Sequence, residues 1–172
     1  MTSSRSLLVL TSPLSNVSAK FGRHLAEIQS VGNFKELYVH LLPNVTKWPP
    51  NSNIRSLSAW PSTVTSLYQQ GTQQCSSILD LRILLKDTSL DFVPKPFDKV
   101  FFEFGTDKEL IEPYLKHLGK HNEVVHLEIS SDSFKVQDSE EKIESFENVC
   151  LGGTFDRLHD GHKILLSEAV LR

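Results

Sequence analysis

Cysteine is scarce in this chain, with two in 172 residues, Cys75 and Cys150, far apart and in no CxxC pair. A disulfide framework is thereby excluded, no Cys/His spacing suits a structural zinc site, and a reducing compartment fits best. Basic excess is missing too. Eighteen Lys and Arg stand against 21 Asp and Glu, for a formal net charge of -3, so no basic footprint marks a nucleic-acid partner. No apolar run approaches the ~18 residues of a membrane span. GxxxxGKS/T occurs nowhere, so no kinase P-loop is present. What is there, 39% hydrophobic and 23% charged residues, describes a globular chain able to bury a sizeable core. Its length suits one domain and the beginning of a second.

Apolar runs and helical stripes alternate along residues 1–130. Leu7–Leu10 reads as a first strand. Val17, Phe21, Leu25 and Ile28 then recur at helical spacing, closed by Gly32, and the run 37–42 (LYVHLL) is a second strand. Residues 43–62, with Pro43, Pro49, Pro50 and Pro61, read as a long loop or insertion. Further strands are expected at 79–85 (LDLRILL), 99–104 (KVFFEF) and 123–129 (EVVHLEI). Thr106 and Glu109 have capping-box spacing before a stripe of Leu110, Ile111, Tyr114, Leu115 and Leu118. The alternation predicts an α/β domain over 1–130. Residues 131–147, where Asp and Glu outnumber Lys, read as an acidic linker. Residues 148–172 then start a second unit, with a short strand at Val149–Leu151, a glycine-rich turn and a helix.

That turn is the densest chemistry in the chain: GGTFDRLHDGH, residues 152–162. A turn from the carboxyl end of a parallel strand into a helix is where open α/β sheets bind ligands, and a helix amino terminus favours phosphate. Gly152 and Gly153 carry no Cβ to hold the backbone off such a guest, and Gly161 lets the first helical turn come close. His159 and His162, three apart, share one face of that turn. The other histidines, at 24, 40, 117, 121 and 126, are expected to be solvated. The dinucleotide fingerprint GxGxxG is absent from the turn; two histidines allow a zinc site, but its remaining ligands are not evident.

With its paired glycines, Thr154-Phe155-Asp156 and Lys163 after the second histidine, the stretch resembles the signature of the HxGH nucleotidyltransferase superfamily, in the version of the archaeal and eukaryotic phosphopantetheine adenylyltransferases. SLLVLTSPL near the start, LYVHLLP at 37–43 and LDLRILL at 79–85 are similar to the amino-terminal region of the animal bifunctional coenzyme A synthases. The resemblance spans most of the chain, though only the turn is specific for chemistry. It implies a Rossmann-like second domain and adenylyl transfer from ATP to 4′-phosphopantetheine, giving dephospho-coenzyme A and pyrophosphate. His162 would bind the ATP phosphates and stabilise the transition state with His159 as its partner. Thr154 would hold the acceptor phosphate, and Gly152, Gly153, Thr154, Phe155 and Gly161 would line the nucleotide. Magnesium would accompany ATP. Asp156 either orients the turn or is structural.

The family's remaining strands, adenine-binding residues and kinase domain find no counterpart in these 172 residues. One strand and one helix bury little apolar surface without neighbours, so the chain alone is expected to be catalytically inactive. Two other readings stay open: a cytidylyltransferase for a phosphorylated alcohol, and an interaction or targeting module with protein partners for residues 1–130. The cytoplasm is the default location. Mitochondrial association is suggested by the family and by an amino terminus with no acid before Glu27.

Overall fold

The apolar run at Leu7–Leu10 becomes the middle of a five-stranded, wholly parallel sheet. The computed structural model describes residues 4–50, 60–75, 79–85, 87–128, 146–153 and 155–171. The elements run β1 (Arg5–Leu10), α1 (Leu14–Val31), β2 (Glu36–Leu41), α2 (Trp60–Gln74), β3 (Asp80–Leu84), a 3₁₀ helix (Asp87–Phe92), β4 (Phe97–Phe102), α3 (Lys108–Leu118), β5 (His121–His126) and α4 (Asp160–Leu171). The α/β class expected from the alternation is the class observed.

Strand order is β3-β2-β1-β4-β5. The chain builds outward from β1 in one direction and then restarts on its other side with β4. Right-handed crossovers therefore send α1 and α2 to one face and α3 to the other. α1 and α2 pack together, while Tyr114 of α3 meets Phe102 edge-on and shares a 2.8 Å hydrogen bond with His40 Nδ1. Between the layers Leu7, Leu8, Val9, Phe101 and Phe102 are fully buried. Each such side chain stabilises the fold by about 1.5–3 kcal/mol through burial.

The helices follow from their stripes. Val17, Phe21, Leu25 and Ile28 are the buried face of α1. Pro13 precedes its first residue, and its carbonyl accepts from the N–H groups of Asn16 and Val17. α2 was hidden by its own punctuation, since Trp60 and Pro61 fall in the proline-bearing stretch read as loop. Proline is tolerated in a first turn, whose N–H groups have no intrahelical acceptor. Gly71, inside α2, is a packing glycine: a Cβ there would stand 2.6 Å from Leu81 Cδ2 of β3.

Other expectations need correcting. Thr106 does not cap α3; its hydroxyl turns back to donate to the Glu103 carbonyl at 2.7 Å, and Asp107 is the cap residue, without a side-chain cap bond. His24 and His40 are buried, not solvated, because each lies on the packed side of its element. Val149–Leu151 forms no strand; these residues are exposed and pair with no strand among the described residues. The acidic stretch at 131–145 lies outside the described residues. No helix among the described residues is long and apolar enough to cross a membrane.

Candidate functional site

α4 presents the turn, and it is not an isolated helix. Ile164, Ser167 and Leu171, spaced along one stripe, face the rest of the protein: Ser167 is buried, Ile164 and Leu171 pack against the core, and α2 is the neighbouring element. Lys163 pins the first turn. Its ammonium lies 2.6 Å from Asp80 Oδ1, donates to the Leu81 carbonyl at 2.8 Å and reaches Asp160 Oδ1 at 3.1 Å. Thr72 of α2 donates to the other Asp160 oxygen at 2.8 Å. Burial alone would raise the Asp80 carboxyl, but hydrogen bonds from Lys163 and Arg82 hold it below its ordinary value. Burial would likewise lower Lys163, and its bonds to Asp80 and Asp160 raise it instead.

Asp80 opens β3, so the turn lies beside the amino-terminal edge of the sheet. This corrects the expectation that a strand of its own would deliver the turn to a carboxyl edge. Neighbours it was expected to lack are supplied by α2 and β3.

Within the turn the two imidazoles meet. The rings of His159 and His162 stack with centroids 3.9 Å apart and planes 29° apart, and Phe155 lies 5.0 Å from the His162 ring. The His159 carbonyl accepts the first helical N–H groups, from His162 at 2.9 Å and Lys163 at 3.1 Å. His162 Nδ1 is 3.1 Å from the Arg157 carbonyl, which can only accept. Nδ1 therefore carries the proton of that bond, and Nε2 is left for a ligand. A Cβ on Gly161 would come within 3.0 Å of the His159 ring, so glycine at this position keeps the stack tight. Around Gly152 there is open space. Gly152, Gly153, Phe155 and His159 are exposed and His162 is half-buried; Thr154 lies outside the described residues. A cleft of about 490 Å3 runs from His159 and Gly161 past Lys163 to Thr72 and Cys75.

Comparison with known proteins adds no relative: no family model matches the chain, and neither a curated protein nor a solved structure is significantly similar to it.

At the opposite edge, where β1 and β4 end, stands a cluster that sequence reasoning missed. Glu103 follows β4 and is buried, and it faces Lys20 and His24 of α1 and the loop after β1. Glu103 lies inside the run 99–104 that reads as strand, and Ser12, its partner, is 91 residues away. No local signal connects them.

Proposed function

We propose that residues 152–162 grip the polyphosphate of ATP, and that the reaction served is adenylyl transfer to 4′-phosphopantetheine. The observation that carries this reading is the stacked pair His159 and His162 at the exposed first turn of α4. Two stacked imidazoles at a helix start, whose dipole favours negative charge, suit a chain of phosphates.

In this reading an oxygen of the acceptor phosphate attacks the α-phosphorus of ATP, the bond to the β-phosphate breaks, and pyrophosphate leaves. No covalent bond to the protein forms. The protein works by positioning and by meeting charge as it develops. His162, oriented through Nδ1 by the Arg157 carbonyl, donates from Nε2 to the phosphates as the imidazolium, in which both ring nitrogens are donors, and His159 supports it by stacking. Gly152 and Gly153 let the backbone lie against the nucleotide beside Phe155, with Thr154 assigned to the acceptor phosphate. Magnesium binds phosphate oxygens with few protein ligands. Asp160 is engaged by Thr72 and Lys163, so the ion would be held chiefly by the phosphates themselves. The family's cytoplasmic setting with mitochondrial association is part of the same proposal.

The non-catalytic reading, a module with protein partners over residues 1–130, is supported by one observation: the crevice at the carboxyl ends of its strands is filled by its own Glu103.

The test is pyrophosphate release from ATP that depends on 4′-phosphopantetheine, measured on a protein in which this chain is joined to a whole adenylyltransferase domain. The joined protein is expected to turn over, and His162→Ala to lower its kcat by about 100- to 1000-fold. Full activity of the joined His162→Ala protein would overturn the assignment.

A further inference from the structure

In an open parallel sheet the ligand crevice lies beyond the strand carboxyl ends, at the point where strand order reverses. Here that point is between β1 and β4. Anions bind there against the N–H groups that follow β1, beside a helix start. In this chain those groups are taken. The Glu103 carboxylate accepts the Thr11 N–H at 2.9 Å, the Ser12 N–H at 2.8 Å and the Ser12 hydroxyl at 2.5 Å.

More donors face the same place than the carboxylate uses. Lys20 Nζ is 3.8 Å and His24 Nε2 3.7 Å from Glu103 Oε1, both beyond hydrogen-bond distance. Lys20 is only 6% exposed and His24 is fully buried, with neither ring nitrogen hydrogen-bonded. Leaving buried donors unused is costly, so such a group marks a place where an acceptor belongs. Two backbone N–H groups, a hydroxyl, an ammonium and an imidazole thus surround one point, and a carboxylate tethered by two methylenes fills it incompletely. A cavity of about 410 Å3 reaches Thr11, Ser12 and Lys20 from the surface, so a small ion has a route in.

We propose that this switch point is an oxyanion site whose occupant is the chain's own Glu103 carboxylate, which keeps phosphate and nucleotide out of the sheet unit. The proposal does not depend on the role given to residues 152–162. Removing the tether should turn an internal contact into a binding site for a free carboxylate or phosphate.

The experiment is Glu103→Ala in a chain that also carries His159→Ala and His162→Ala, so that the turn contributes nothing. Thermal midpoints are measured in acetate, inorganic phosphate and chloride at equal ionic strength. At ten times its dissociation constant, acetate or phosphate is expected to raise the midpoint of the Glu103→Ala protein by about 3–6 °C over chloride. The parent carrying only the two histidine changes is expected to show no such rise, and adding Lys20→Met to abolish it. Should Glu103→Ala not fold unaided, its refolding yield against acetate gives the same readout. Equal midpoints or yields in all three salts, or an equal rise in the parent, would overturn the proposal.

Discussion

Where β1 and β4 end, a carboxylate is buried against the donors of the loop after β1; at the turn leading into α4 the polar side chains face outward. Glu103 and His159 make the contrast concrete. The carboxylate is 2% exposed, takes three hydrogen bonds and is held at a pKa of about 2. Burial would raise that value, but the His24 ring, the Ser12 hydroxyl and the two N–H groups outweigh it. The imidazole is exposed and stacks on the His162 ring. Strand and helix alternation builds a crevice, but a crevice receives a ligand only where its donors are uncommitted. By that criterion the sheet unit is closed and the turn at 152–162 is open.

Substitutions should separate the two regions by size of effect. Phe101→Ala, deep in the sheet, is expected to cost about 3–5 kcal/mol in denaturant unfolding. A loss under 1 kcal/mol would mean that the two sides of β4 are not packed as described. Glu103→Gln should come next. The carboxyl is depressed in the folded protein relative to its ordinary 4.5, so its contribution is fully present above about pH 4.5 and is lost as pH falls through about 2. Its magnitude is about 3 kcal/mol. The variant should lose that much at neutral pH and show a flatter decline in acid; an unchanged pH profile would contradict the network. Lys163→Met acts between the regions. It should expose the α4 amides to exchange at a cost of about 1–2 kcal/mol while the sheet amides stay protected. Loss of protection throughout would show that α4 is part of the core unit. Smallest of all, His162→Ala should change stability by no more than about 0.5 kcal/mol, because a half-exposed ring carries little of the packing.

Four strands were legible as short apolar runs, β5 (HNEVVH) only in its last four residues, where the run expected at 123–129 overlaps it, and α1 and α3 were legible because their stripes repeat at helical spacing. α2 was not, since Pro61 and Gly71 look like breakers; one sits harmlessly in the first turn and the other makes room for Leu81. The extra strand expected at Val149–Leu151 failed for the opposite reason. Three apolar residues satisfy a pattern, but a strand needs a neighbour's backbone to bond to. At the turn, spacing did anticipate that His159 and His162 share a face. It could not anticipate where the turn sits, because that is set by Lys163 reaching Asp80 across 83 residues. Likewise nothing local connects Glu103 with Lys20 and His24. Pairings of this kind are settled by topology, and one sequence displays topology only as a class.

Side-chain NMR of the seven histidines during titration with Mg-ATP reads both regions at once. Saturable shifts of the His159 and His162 ring signals are expected, with His24 unmoved beside its internal carboxylate. Shifts at His24 with the pair at 159 and 162 silent would contradict that assignment, placing the phosphate site at the switch point and leaving GGTFDRLHDGH without the role assigned to it.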